Sequence, residues 1–493
     1  MSSAVLLIPV FLPVISGFVM LLPCFSGRDS LVKKIVSVIT FIDGALLWWL
    51  ITGDASRNLV LLTVKEGLTI NFRIDGLGRL FAGIIGTLWP ATMVYALEYM
   101  KHEERQQSFF AFFLMSFGVT AGICFAGNML TMYCFYEMLT LATLPLVMHT
   151  MTRGAMRAGR TYLIFSIGGA AFGFIGMMFL LTRGGSADFI YGGVLGNYTG
   201  DAGLARWIYL LAFMGFGVKA AVFPLHAWLP KVAVAPTPVT ALLHAVAVVK
   251  AGAFAVIRLT WYCFGTELLK GSWVQLAVLL ITSWTVVYGS SMALKEGHFK
   301  RRMAYSTVAN LSYILLGVTM MTEEGLAAGL SHMIFHALIK ILGFFCVGAV
   351  MHSCKREYIY ELDGLGYRMP VTFACFTVSA LALSGIPMFN GFISKWRLLT
   401  ASVAPGAESF TVIGAAALII SAILTAIYMF TPACRAFFPP KTGEEAGDRL
   451  MDINEVNAYM LVPMVILALA CVVTGLWAEP VVKLCDAIAA GLM

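Results

Sequence analysis

Long apolar runs separated by short polar segments account for almost the whole chain. Fourteen of these runs are close to the roughly 20 residues that a helix needs to cross a bilayer. Their approximate bounds are 4–23, 31–52, 78–97, 109–127, 129–150, 161–182, 204–225, 236–260, 272–293, 303–321, 326–352, 370–394, 410–433 and 457–477. The pattern predicts an all-α polytopic membrane protein of about 14 transmembrane helices. We expect no soluble domain, because the longest polar stretch, 434–456, is too short to fold alone.

Composition supports this class of protein and excludes others. Of the 493 residues, 60% are hydrophobic and only 12% are charged, whereas a soluble domain carries about 25% charged residues. A soluble protein of this size could not bury so much apolar surface, and an outer-membrane barrel would alternate polar and apolar residues. None of the ten cysteines forms a CxxC pair, and Walker A, HExxH and haem-attachment motifs are absent from the sequence. We therefore expect no cofactor and no metal, and an energy source that is an ion gradient or a partner.

The distribution of basic residues predicts the orientation. When the loops are assigned to alternate sides, 19 Lys and Arg fall on one side and 10 on the side that holds both termini. Since cytoplasmic loops carry the excess of Lys and Arg, both termini are expected outside the cytoplasm. The strongest cytoplasmic markers are two clusters, Arg153/Arg157/Arg160 and Lys295/Lys300/Arg301/Arg302.

A few ionisable residues remain inside the apolar runs, where each costs about 2.5–3.5 kcal/mol. They include Glu137, Lys219, His244, Lys250, Lys340 and Lys395. The functional interpretation is an ion pathway. The alternatives are a structural ion pair for Glu137 and snorkelling to an interface for Lys219. His244 and Lys250 share the predicted helix 236–260, and their spacing of six residues places them on different faces.

His332, His336 and Lys340 follow one another at intervals of four residues. That spacing stacks three titratable side chains on one face of a helix. Because imidazole accepts and donates a proton at once, the row is typical of a proton relay. A metal site is the weaker alternative, since lysine is not a usual ligand and no carboxylate completes the set.

Two apolar runs are interrupted next to a lysine. Pro224 follows Lys219, while Pro387 and Gly391 precede Lys395, and each interruption predicts a broken helix. Paired broken helices in two halves of a chain are typical of transporter sites built from repeats. The order of Lys and Pro is reversed between the two runs, however, so these residues do not by themselves support a repeat.

Four motifs together resemble one family. They are FYEMLTL around Glu137, GVKAAVFPLHAWLPKVAVAPTPVTALLHA around Lys219, HALIKILGF around Lys340 and GIPMFNGFISKW around Lys395. These segments are similar to the antiporter-like subunits of respiratory complex I, of Mrp-type sodium/proton antiporters and of energy-converting membrane-bound hydrogenases. The resemblance extends over nearly the whole chain.

The resemblance implies fourteen helices with two inverted five-helix repeats, in which helices 7 and 12 are broken. It divides the chain into an N-terminal three-helix segment (1–108), a first repeat (109–260), a second repeat (261–433) and a polar loop with a last helix (434–493). A long lateral helix, present in one branch of the family, is not expected. The lysine at position 395 matches the branch that has lysine rather than glutamate there.

The resemblance also implies roles for the buried ionisable groups. It pairs Glu137 with Lys219, assigns relay positions to His244, Lys250, His336 and Lys340, and gives Lys395 to a second half-channel. Together with the row at 332–340, this predicts eight proton-translocation residues, Glu137, Lys219, His244, Lys250, His332, His336, Lys340 and Lys395.

The expected function is proton translocation, with Na⁺ as an alternative ion, by a membrane subunit of a redox-driven complex of the complex I or hydrogenase type. The chain itself would be a transporter subunit within an oxidoreductase complex. It would lie in a bacterial or archaeal cytoplasmic membrane, in contact with lipids, other membrane subunits and peripheral iron–sulfur subunits, and with no nucleic acid.

Two alternative functions remain open, a subunit of an Mrp-type antiporter and an unrelated solute symporter. A structural subunit would tolerate mutation of the buried ionisable residues, and no sequence feature supports a quinone-binding subunit.

Overall fold

The computed structural model describes residues 3–53, 57–65, 68–196, 198–438 and 453–492. Most of the polar stretch 434–456, namely residues 439–452, lies outside the described residues. The helices are α1 (Ile8–Met20), α2 (Asp29–Thr52), α3 (Gly76–Tyr99), α4 (Gln106–Cys124), α5 (Met129–Val147), α6 (Arg153–Phe179), α7 (Ala202–Gly217), α8 (Trp228–Lys231), α9 (Thr237–Ala245), α10 (Val248–Ile257), α11 (Thr266–Leu269), α12 (Trp273–Lys295), α13 (Phe299–Thr319), α14 (Glu323–Cys354), α15 (Pro370–Ser384), α16 (Asn390–Ala401), α17 (Val412–Phe437), α18 (Ala458–Leu476) and α19 (Glu479–Ala489).

The chain is a helical, multi-pass membrane protein. Within the described residues, eleven helical segments are long and apolar enough to cross a membrane, and Ala202–Gly217 and Pro370–Ser384 are shorter apolar helices. Several helices begin at a polar side chain that accepts a hydrogen bond from the first turn, which satisfies a backbone N–H left free there. Asp75 caps α3, Asn128 caps α5 and Thr322 caps α14. Side-chain chemistry therefore fixes where these helices start.

The interior of the bundle consists of α9, α10 and α14. Every residue from 237 to 264 is buried, and α14 is buried over nearly its whole length. The outer helices instead expose large apolar side chains, such as Ile164 of α6, which is 71% exposed. An apolar outer surface is the expected arrangement where the solvent is lipid. Five of the eight expected residues lie on these three helices, namely His244, Lys250, His332, His336 and Lys340.

The helices that carry Lys219 and Lys395 are interrupted in the structure. α7 ends at Gly217 and the next helix, α8, begins only at Trp228, with Lys219 in the turn between them. α15 ends at Ser384, where Gly385 adopts a left-handed conformation (φ 82°). The following helix, α16, begins at Asn390 and carries Lys395.

Three elements differ from the sequence expectation. Residues 236–260 do not form one helix. The amides of Val246 and Ala247 both bond to the carbonyl of Leu242, so Ala247 passes over the carbonyl of Leu243 that a regular α-helix would use, and α9 ends before α10 begins. The inference that His244 and Lys250 occupy two faces of one helix was therefore wrong in its premise. An antiparallel hairpin of β1 (Asn58–Lys65) and β2 (Leu68–Arg73), and the helix α19, were not predicted.

Candidate functional site

Two helices of the core are joined by a direct contact between ionisable side chains. Nζ of Lys250 in α10 lies 2.8 Å from Nδ1 of His336 in α14. Both side chains are completely buried. The interruption before α10 sets the direction of this short helix independently of α9. The ammonium group meets the imidazole without an intervening residue.

The contact continues along α14 to the second interrupted helix. The rings of His336 and His332 stack with their centroids 5.7 Å apart, as the four-residue spacing predicts. Nδ1 of His332 lies 2.9 Å from the hydroxyl of Ser394 in α16. Ser394 directly precedes Lys395. The structure therefore brings Lys250, His336, His332 and Ser394 into one row of contacts, and this row ends at the residue before Lys395.

Lys395 lies against the helix break. Its Nζ donates to the carbonyl of Leu383, 2.6 Å away, in the last turn of α15. A helix end leaves such carbonyls without intrahelical donors, so the break itself supplies the acceptor. The ammonium also lies 5.2 Å from the ring centroid of Tyr313, and it lines a small cavity of about 120 Å³.

Lys340 points to a different neighbour from the two histidines that precede it. Its Nζ donates to the carbonyl of Met303 (2.9 Å) and to the hydroxyl of Ser306 (2.6 Å), both in α13. The phenol of Tyr428 in α17 donates to the same hydroxyl at 3.0 Å. Lys340 thus extends the polar contacts from α14 through α13 to α17.

Lys219 contacts the residue beside Glu137. Its Nζ donates to the carbonyl of Tyr136 and lies 3.4 Å from the centroid of that ring. One carboxylate oxygen of Glu137 is buried without a hydrogen-bond partner among the described residues. The turn that holds Lys219 packs closely on Gly252 of α10, where a Cβ atom would lie 2.4 Å from the amide nitrogen of Ala220.

His244 is the least connected of the expected residues. Both ring nitrogens are buried without a hydrogen-bond partner among the described residues, and the ring lies 5.0 Å from that of Phe344 in α14. Phe344 is one turn beyond Lys340, so His244 lies beside the row without a direct hydrogen bond to it. A buried imidazole with two free nitrogens can both accept and donate a proton.

Sequence reasoning missed a buried ion pair. Arg258 is completely buried, and its guanidinium binds both carboxylate oxygens of Asp75 at 2.6 and 2.7 Å. The rings of Phe189, Phe254 and Tyr262 surround the cation at 4.6–5.0 Å. No local pattern marks this pair, because Arg258 lies near the end of its apolar run and its partner is 183 residues away in sequence.

Three more buried charges were missed. Lys300 and Arg302, expected in a cytoplasmic loop, are 3% and 7% exposed and donate to backbone carbonyls. Asp43 in α2 is completely buried, and neither carboxylate oxygen has a partner among the described residues. Its signal was visible in the sequence, since Asp43 is the one acidic residue inside the apolar run 31–52.

The family assignment agrees with this geometry. Residues 126–421, more than half of the chain, match the family model described as NADH:quinone oxidoreductase/Mrp antiporter, TM. Residues 64–110 match that of NADH-ubiquinone oxidoreductase (complex I), chain 5 N-terminus. The chain belongs to this NADH:quinone oxidoreductase/Mrp antiporter family, and all eight expected residues fall within the first match.

Curated relatives come from both branches of the family. The chain is 32% identical to the NADH-quinone oxidoreductase subunit N of Desulforudis audaxviator over 84% of its own length and 83% of that protein. It is 28% identical to the A/B polypeptide of a probable K⁺/H⁺ antiporter of Rhizobium meliloti, over 91% of its own length but only 44% of that longer protein. Relatives therefore include both oxidoreductase and antiporter subunits.

The fold is shared with a solved membrane complex. One polypeptide of the membrane-bound sulfane sulfur reductase, an archaeal respiratory membrane complex, superposes with a TM-score of 0.85. The match covers 99% of this chain and 97% of that polypeptide, with 24% sequence identity. This likeness establishes the common fold.

Proposed function

We propose that the chain is a proton-translocating, antiporter-like membrane subunit of a redox-driven respiratory complex, of the complex I or hydrogenase type, with Na⁺ as the alternative ion. The observation that carries the proposal is the row of contacts from Lys250 through His336 and His332 to Ser394. Buried ionisable groups are expensive, and apolar residues of similar size would pack as well or better. Their placement at the centre of the bundle supports a role in moving charge.

In the proposed mechanism, the ammonium of Lys250 gives a proton to Nδ1 of His336. The protonated imidazole releases its other proton towards His332, and the hydroxyl of Ser394 links His332 to Lys395. Lys250 is recharged from the side of Lys219. A carboxylate near a buried lysine favours its charged form, so movement of Glu137 away from Lys219 would release that proton. Lys340 and His244 would add the charge that sets the direction of transfer.

The proposal includes the finer architecture of the family. The eleven long spans, the two shorter apolar helices and α13 correspond in order to the fourteen predicted stretches. We assign residues 1–108 to an N-terminal three-helix segment, 109–260 and 261–433 to two inverted five-helix repeats with interrupted helices, and 434–493 to a polar loop and the last helix. We assign both termini to the non-cytoplasmic side of a bacterial or archaeal cytoplasmic membrane, because an even number of spans would put them on one side and the excess of basic loop residues favours the other side as cytoplasmic.

The most informative test of transport uses the native complex in sealed inside-out vesicles, with a pH-sensitive dye. Lys340→Ala and Lys219→Ala should each abolish acidification, while Lys355→Ala, at an exposed loop lysine, should leave it unchanged. Wild-type acidification with either buried variant would refute the proposed role.

An Mrp-type antiporter subunit is the second candidate, because curated relatives include antiporter subunits. Affinity purification of the tagged chain from its own membranes distinguishes the two assemblies. Co-purifying hydrophilic iron–sulfur proteins would support the redox complex. Small membrane subunits without redox proteins would support the antiporter.

A further inference from the structure

A large basic cavity opens at the end of the bundle that carries the Arg153/Arg157/Arg160 cluster. It has a volume of about 990 Å³ and lies between the start of α6, the segment from the Lys219 turn to α9, and the junction of α12 with α13. Its cationic lining residues are Arg157, Arg160, Lys231 and Arg301. It is separate from the buried row that the proposed transport uses.

The charges of this cavity are not balanced. The acidic lining residue Glu296 is engaged, since it lies 3.8 Å from Arg301 and accepts the amide of His298 at 3.0 Å. Within the described part of the chain, Arg157, Arg160 and Lys231 form no ion pair, and all three are exposed. Burial and the neighbouring Arg301 lower the pKa of His298, so the surplus charge of the cavity comes from its arginine and lysine side chains.

Two further features favour an anion. The N-terminal end of α6, a 27-residue helix, faces the cavity at Gly154, and its free amides carry partial positive charge. Nδ1 of His226, a lining residue that is 7% exposed, has no hydrogen-bond partner among the described residues. A polar group of this kind gains from a ligand that supplies a partner.

The surface directly below the cations is apolar. Ile164 lies one turn deeper along α6 than Arg160 and is 71% exposed, and Trp284 lies one turn deeper along α12 than the lining residue Tyr288 and is 57% exposed. This surface suits a molecule with an anionic head and hydrocarbon tails, because the cations lie at the membrane face and the exposed apolar side chains lie one turn below them. A soluble acidic segment would not use the apolar part.

We propose that this cavity binds the phosphate headgroup of an anionic membrane phospholipid, with its acyl chains lying along Ile164 and Trp284. Basic pockets between membrane helices bind such headgroups, and each cation near the surface strengthens binding by about five-fold. A free phosphate would use the same cations but not the apolar surface.

The test uses the full-length chain in its complex, in nanodiscs that contain phosphatidylcholine alone or with phosphatidylglycerol, and native mass spectrometry counts the bound lipids. Phosphatidylglycerol should be retained over phosphatidylcholine, and the double variant R157Q/R160Q should weaken that retention about thirty-fold. R153Q, on the same helix but outside the cavity lining, is the matched control and should behave as wild type. If the double variant does not fold, K231Q replaces it, and its retention of phosphatidylglycerol should be about five-fold weaker than that of R153Q.

Four results would overturn the proposal. The first is equal retention of the two lipids by the wild type. The second is an equal loss of retention in R153Q and R157Q/R160Q. The third is displacement of phosphatidylglycerol by excess inorganic phosphate, which would identify a simple anion site. Loss of a neighbouring subunit from R157Q/R160Q with unchanged lipid retention would likewise overturn it, in favour of an acidic partner segment.

Discussion

The ammonium group of Lys250 and Nδ1 of His336 lie 2.8 Å apart in the completely buried centre of the bundle, although the two residues are 86 positions apart in sequence. No apolar packing requirement calls for this pair. It joins the half of the chain that carries Lys219 to the half that carries Lys395. The pair is therefore the position at which the proposed row is most sensitive to substitution.

The hydroxyl of Ser394 is expected to link His332 to Lys395. Ser394→Ala removes the 2.9 Å contact and should slow proton transport by roughly two- to ten-fold, the equivalent of one hydrogen bond. The measurement is the initial rate of acidification in inside-out vesicles. Thr400→Ala removes an exposed hydroxyl from the same helix and should leave the rate unchanged. Equal rates in the two variants would exclude Ser394 from the path.

The Asp75–Arg258 pair is expected to stabilise the packing of α3 against the core. Asp75→Asn leaves the guanidinium buried without its counter-charge and should lower the free energy of unfolding by about 3–5 kcal/mol. Thermal unfolding of the purified protein in detergent measures the effect as a lower Tm.

Arg73 provides the control for this prediction. Its guanidinium lies 3.8 Å from Asp75, and its side chain is 35% exposed. Because solvent screens an ion pair of this kind, the substitution Arg73→Gln mainly loses the hydrogen bond from the guanidinium to the carbonyl of Phe189 (2.6 Å), and it should cost about 1–2 kcal/mol, less than Asp75→Asn. A Tm for Asp75→Asn that equals the Tm of the control would contradict the proposed anchor.

The close packing of α10 on the Lys219 turn predicts a strong effect of one added methyl group. Gly252→Ala would place Cβ 2.4 Å from the amide nitrogen of Ala220 and 2.7 Å from the carbonyl carbon of Lys219. The backbone must then move, which should cost about 1–3 kcal/mol and slow transport by displacing the lysine. Gly168→Ala in α6 is the matched control, because its Cβ would meet nothing within 4 Å. Wild-type stability and transport in Gly252→Ala would show that the turn is not tightly held.

The sequence predicted the membrane class and the helices that carry the site, because long apolar runs and rare buried charges are local signals. The stacking of His332 and His336 followed from their spacing alone. The contacts between helices did not, since no local pattern marks Lys250 as the partner of His336 or Asp75 as the partner of Arg258. The interruption at Val246 was also invisible, because neither Pro nor Gly marks it. The only local signal of the hairpin is the short alternation of polar and apolar residues at Thr69, Ile70, Asn71 and Phe72, which is typical of a strand.

The central claim is that protons pass through the Lys250–His336 contact, and proton uptake per catalytic turnover of the native complex in sealed vesicles tests it most directly. Lys250→Met and His336→Ala should each reduce uptake at least ten-fold. The double variant should lose no more than either single one, because both changes interrupt the same step. Lys355→Met, at an exposed lysine, should retain wild-type uptake. Wild-type uptake in both Lys250→Met and His336→Ala, in an intact complex, would contradict the account.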